Sequence, residues 1–477
     1  MTDHTWLDAT AQADLVRSGE ASPIELVDEA IARIEKLNPE LNAVITPLFD
    51  KARDAASGDL PDGPFRGVPM VLKDLACHSA GDPMYEGSRF LKEAGWVEEE
   101  DSFLAARFRA AGFVFLGKTN TPELGILPTT EPDAFGATRN PWNTDHSTGG
   151  SSGGSSAAVA SGMVAIGHAN DGGGSIRIPA SECGLVGLKP SRARTSLGPD
   201  YGDVFSGLVC EHVVTRSVRD TAAVLDAVAG PGVGDPYAAP APAGPWLVEA
   251  GTDAGRLRIG ILTKAPTGET HPDCVAAAEE TGRLLESLGH AVEASSPDAL
   301  SDPDLTNHFI TLWSSGNAWS MDYWSRKVGR PLREEDWEPL SWALAEMGRS
   351  FSAPQYLTAV EWLQRYTRRV AQWWADGFDL LLTPTLAEPP PRLGEFAGTP
   401  DNPIAGLFRA ASLVPFTPPF NVTGQPAISL PLHWNEAGLP IGVQLVAAYG
   451  REDVLLRVAA QLEQARPWAG RRPPVSA

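Results

Sequence analysis

The side chains most able to do covalent chemistry lie in three short segments. Lys73 closes an apolar run, Val71-Leu72-Lys73. Ser151 and Ser152 stand in the loop Gly149-Gly-Ser-Ser-Gly-Gly-Ser155. Ser175, twenty-four residues beyond Ser151, follows Gly172, Gly173 and Gly174 and leads into Ile176-Arg-Ile-Pro179. Hydroxyls, one amine and unobstructed backbone amides are the parts of acyl transfer. A serine attacks a carbonyl only once a neighbouring base has taken its proton, and the oxyanion that forms needs fixed N–H donors. The glycines at 172–174 let N–H groups converge on one point, an oxyanion hole in which each donor is worth about 2.7–4 kcal/mol. Two further patterns match by letter and fail by context. Gly112-Phe-Val-Phe-Leu-Gly-Lys-Thr119 fits a phosphate-binding loop, but its middle is an apolar strand and the Asn-Thr-Pro that follows delays any helix. Gly149-x-Ser151-x-Gly153 fits a nucleophile elbow, which needs an apolar strand before it, whereas residues 140–146 are mostly polar.

The lysine and the two serine loops, in this order and spacing, resemble the amidase signature family. The likeness runs through nearly the whole chain, including Phe420-Asn-Val-Thr-Gly-Gln-Pro-Ala427 and Gly438-Leu-Pro-Ile-Gly-Val-Gln444. It implies Ser175 as nucleophile, Ser151 as a bridging serine on a cis peptide bond, Lys73 as base, and an oxyanion hole from Gly172, Gly173, Gly174 and Ser175. Gly172 departs from the threonine more usual there. The chemistry agrees. At a reference pKa of about 10.4 fewer than roughly one lysine in a thousand is neutral near pH 7, so Lys73 needs a desolvating site such as an apolar strand. Asp74 points to the opposite face of that strand. Asp171 and Arg177, flanking the nucleophile, read as a buried ion pair that fixes the loop. Ser152 and Ser155 read as hydroxyls supporting the other loop.

Such segments need a rigid scaffold, and the chain alternates helical and strand patterns on either side of them. Ser22-Pro23 caps a helix whose apolar face runs from Ile24 to Ile34 and which Asn38-Pro39 stops. Strands are expected at 67–72 and 113–116, the second after a helix from Phe103 to Ala111. Residues 147–156 have the composition of a flexible linker, yet an apolar helical segment, Ala157–Ala160, follows directly. A proline- and glycine-rich connection at 230–255 marks a candidate subdomain boundary. After it come a strand at 257–262, a helix at 272–288 and a mainly helical region at 303–376. That region holds eight of the fourteen tryptophans, most of them core residues, with at least one near the site. Strands at 427–432 and 441–446 and a helix at 453–463 close the chain. The expected fold is α/β, the amidase signature fold: one domain over 1–477 with a central mixed, twisted sheet covered by helices on both faces.

Composition narrows the function. With 38 basic and 60 acidic residues the formal charge is −22, which repels phosphate backbones and argues against a nucleic-acid partner. No basic–apolar leader and no run of about eighteen apolar residues is present, so neither export nor a membrane span is expected. Cys77, Cys183, Cys210 and Cys274 are far apart and read as reduced, mostly buried thiols of a cytoplasmic protein. No ligand cluster suggests a metal, and no cofactor is expected. The expected partner is a small-molecule amide, and a homodimer remains open. The leading reading is a stand-alone serine amidohydrolase acting on amide, urethane or ester bonds of apolar molecules or oligomers. Two other classes are a tRNA-dependent amidotransferase subunit and a dead binding protein. Against the first stand Ile178, where that branch typically has glutamine, and Asp-Leu rather than Asp-Asn after Lys73. Against the second stands the presence of Lys73, Ser151 and Ser175 together.

Overall fold

The computed structural model describes residues 4–477. The strands of the first half are β1 (Val44–Pro47), β2 (Pro69–Lys73), β3 (Val114–Thr119), a short ribbon of β4 (Arg139–Asn140) and β5 (Asn143–Ser147), β6 (Ile166–Asp171), β7 (Val186–Lys189) and β8 (Cys210–Thr215). The second half adds β9 (Arg258–Ile261), β10 (Ala291–Ala294), β11 (Leu380–Pro384), β12 (Ala427–Trp434) and β13 (Pro440–Ala447). All but the ribbon join one eleven-stranded sheet in the order β1-β3-β2-β6-β8-β7-β12-β13-β11-β9-β10. The sheet is mixed: β2 runs parallel to β3 and β6, and β9 parallel to β10 and β11, while β6–β8, β7–β12 and β12–β13 are antiparallel.

Side chains alternate between the two faces of a strand, and each face here has its own helical cover. Leu380 and Leu382 of β11 belong to a core with the helices Pro272–Ser287 and Glu452–Ala465. Leu381 between them packs on the opposite side with the helices Leu305–Val328, Pro339–Ser350 and Ala353–Ala375. These last three form the tryptophan-rich region, where Trp324, Trp337 and Trp374 are buried in the core. The expected α/β architecture is therefore present.

One local expectation needs correction. The helix that starts at Pro23, with a capping box between Ser22 and Glu25, runs through Pro39 to Leu41. Proline deletes one N–H without ending the helix, and the chain turns out of it where Asn38 Oδ1 accepts from the amides of Ala43 and Val44, both at 2.8 Å. The glycine–serine stretch, which its setting already sets apart from a linker, leads into a buried helix that begins within it, Gly153–Ala160. The connection at 230–255 contains the short helix Trp246–Ala250, and strands on both sides of it share the one sheet. By contrast Gly117, Lys118 and Thr119 all lie within β3, so the phosphate-loop pattern is indeed a strand.

Candidate active site

Lys73 ends β2 and Asp171 ends the parallel neighbour β6, so the loop carrying Ser175 leaves the sheet beside the lysine. Lys73 is fully buried, and its Nζ lies 2.6 Å from Ser151 Oγ and 2.6 Å from Asn170 Oδ1. Burial drives the amine down to about 7, against the pull of the Glu211, Asp171 and Glu86 carboxylates, which favour the charged form. Asp74 makes no bond to the amine and accepts the backbone N–H of Tyr85 instead, as strand alternation requires.

Ser151 follows a cis peptide bond from Gly150. Its loop is pressed against the Ser175 segment: a Cβ on Gly149, whose φ is +71°, would sit 2.8 Å from Pro179 Cα. Ser152 Oγ donates to Asn170 O at 3.3 Å, and Ser155 Oγ to His168 O at 2.7 Å, so both support the loop. Ser151 and Ser175 line one cavity of about 70 Å³ together with Asn170, Glu86, Glu211 and Trp313. Ser175 and Trp313 also line a second cavity of about 170 Å³, whose walls include Leu127, Ile178, Phe309 and Val414. Ser175 thus stands between two mainly apolar spaces, the smaller of which also carries Glu86, Ser151, Asn170 and Glu211 on its wall. Its side chain caps no helix: the following helix, Arg177–Cys183, has Ile176 at its cap without a side-chain bond.

The loop geometry revises the expected donor set. Gly174 N–H is committed to Asp171 Oδ1 at 2.7 Å, whereas the amides of Gly172, Gly173 and Ser175 find no acceptor among the described residues. The same carboxylate accepts from Ile176 N–H and, twice, from the Arg177 guanidinium, at 2.9 and 3.0 Å. Gly174 has φ +137°, and a Cβ there would meet Thr417 Oγ1 at 2.4 Å, so only glycine fits. Arg177 continues to Gln444 Oε1 and Asn421 Oδ1, both at 2.7 Å, and to Thr417 O at 3.0 Å. Burial alone would raise the Asp171 carboxyl, but the Arg177 charge and these hydrogen bonds hold it at about 2. Asp171 and Arg177 are therefore the buried pair that shapes the loop, and they touch neither cavity.

Sequence reasoning missed Asn170, Thr417, Asn421 and Gln444. Asn421 and Gln444 lie in segments whose likeness to the family was noted without a role for them. Nothing marked Asn170, an amide in a run that reads only as a bridge from Ile166 to the glycines. The four cysteines are all free and buried. Among the described residues no helix is long and apolar enough to cross a membrane.

Comparison with known proteins covers this whole arrangement. The family model described as "Amidase" matches residues 25–456. The chain is 46% identical to a 6-aminohexanoate-cyclic-dimer hydrolase of Pseudomonas sp. (strain NK87) and 47% identical to that of Paenarthrobacter ureafaciens, each over 98% of this chain and 96% of the relative. A solved structure of 6-aminohexanoate cyclic dimer hydrolase superposes with a TM-score of 0.96 at 46% identity, covering 100% of both chains.

Proposed function

The chain belongs to the amidase signature family of hydrolases, and from that footing we propose that it is a serine amidohydrolase acting through an acyl-enzyme. The observation that carries this is the buried contact of 2.6 Å between Lys73 Nζ and Ser151 Oγ, with Ser151 and Ser175 on the wall of one cavity. In this reading neutral Lys73 accepts the Ser151 proton while Ser151 accepts that of Ser175. Ser175 Oγ attacks the amide carbon, and the amides of Gly172, Gly173 and Ser175 hold the oxygen that becomes negative. The proton then returns through Ser151 to the leaving nitrogen, which departs as an amine and leaves an ester on Ser175. Water activated along the same path releases the acid.

For the substrate we propose 6-aminohexanoate cyclic dimer or a close analogue, with urethanes and esters as slower alternatives. The names of the two relatives support it, as does an apolar cavity that suits methylene chains. The purified chain alone should open the cyclic dimer to the linear dimer, read by mass spectrometry as the gain of one water. Absence of that product from an enzyme that still cleaves simple aryl amides would refute the substrate. Absence of all amide cleavage until partner proteins are added would favour an amidotransferase subunit instead.

A further inference from the structure

Behind the Lys73–Ser151 contact lies a buried carboxylate that the proposed proton path does not use. Glu211 is directly opposite Asn170 in the antiparallel β6–β8 pair, and opposed residues place their side chains on one face. Asn170 holds Lys73, and Glu211 lines the same small cavity as Asn170, Ser151 and Ser175 while only 2% exposed. Its Oε1 makes no hydrogen bond and lies 3.4 Å from Nε2 of His168, which is two residues before Asn170 on the same face. A carboxyl oxygen left without a hydrogen bond at such a depth is costly unless a charge nearby repays it.

We infer that Glu211 is a positioning residue of this site: its carboxyl group, beside His168 and opposite the Asn170 that holds Lys73, sets the pH at which Lys73 releases its proton. The inference rests on the reading of Lys73 as base. Other charged or titratable groups surround it. Lys118 of β3 reaches Cys77 O at 3.3 Å, His168 and Asp171 come from β6, and Glu86 comes from the loop after β2. Asp171 is already neutralised by Arg177, and Glu86 is pushed up to about 8 by burial, so it is mostly protonated at neutral pH. His168 is held below its ordinary value by burial and stays neutral. Glu211 is thus the carboxyl group that shares the small cavity with Ser151 and Asn170, pairs with no arginine among the described residues and leaves Oε1 without a hydrogen bond. Without it desolvation would act on Lys73 less opposed, and the ammonium would lose its proton at lower pH.

The test is the pH profile of kcat/KM for Glu211→Gln, an isosteric change that removes only the charge. The rising limb should move to lower pH by about one unit or more, the scale of a close opposite charge, while the alkaline plateau is kept within a few-fold. Glu211→Met, which leaves no unpaired polar atom, should give the same shift if the amide variant does not fold. A limb that stays in place, or a uniform loss of rate at every pH, would overturn the inference. Lys73→Ala run alongside separates the two readings. If that variant keeps the limb, the base itself is misassigned; if it loses the limb while Glu211→Gln leaves the limb unmoved, only the role of Glu211 fails.

Discussion

Two neighbours 2.6 Å from one nitrogen define what Lys73 can do. A neutral amine has one lone pair and two N–H groups, so it can accept from Ser151 while donating to Asn170. Asn170 is locked in the required sense, because its Nδ2 donates to Leu75 O at 3.1 Å and only Oδ1 is left to face the lysine. With the amine at about 7, activity should rise as pH passes through neutrality, since only the deprotonated form can act as base. Lys73→Arg fills a similar space but stays charged at any working pH. It should cost about 10²–10⁴-fold in turnover, the scale of a lost general base. Ser151→Ala should fall comparably yet keep a remnant, because Ser175 and the loop amides persist. Steady-state rates from pH 5.5 to 9.5 check all three points. A folded Lys73→Arg enzyme with wild-type turnover would reduce the lysine to a structural cation.

The loop after β6 shows how an element is made rigid around chemistry. Three glycines alone would be floppy. Here Asp171 gathers the amides of Gly174 and Ile176, Arg177 grips Asp171 with two nitrogens, and the guanidinium is anchored on Thr417, Asn421 and Gln444. These anchors come from the far end of the chain, so the loop that carries Ser175 takes its shape only when the sheet is complete. Arg177→Ala strips the partner from a fully buried carboxylate, and the expected loss is ~3–5 kcal/mol of stability. A urea titration should show a much lower midpoint, together with lost turnover; an unchanged midpoint would mean the pair is not a structural keystone. At this scale the sequence was partly legible. The pairing of Asp171 with Arg177 was readable from their flanking positions, but its three anchors lie about 240 or more residues away, and local pattern carries no such information. Likewise residues 147–156 have a linker's composition although Ala157–Ala160 read as helical, because only burial on all sides makes the glycine–serine start of Gly153–Ala160 helical.

The whole molecule brings together positions 73, 151 and 175 by laying β2 and β6 side by side as the third and fourth of eleven strands, in a sheet to which both halves of the chain contribute. Strand positions at 67–72, 113–116, 427–432 and 441–446 were readable from apolar runs, and the alternation of helix and strand pointed to an α/β sheet, whereas the cover on both faces was implied by the family resemblance alone. The strand order was not readable, since it depends on which hydrophobic faces meet across hundreds of residues. Neither was the place of Trp313, which lies in a helical stretch rich in tryptophan core residues yet forms part of the wall of both cavities at Ser175. Because the proposed nucleophile is positioned by this assembly, its reactivity should belong to the folded chain. The most direct test treats native enzyme with a fluorophosphonate and maps the adduct by peptide mass spectrometry. One adduct on Ser175, matching the loss of activity and absent from urea-unfolded protein, is the predicted result. An adduct on Ser151 or elsewhere, with a Ser175→Ala enzyme that still turns over amides, would contradict it.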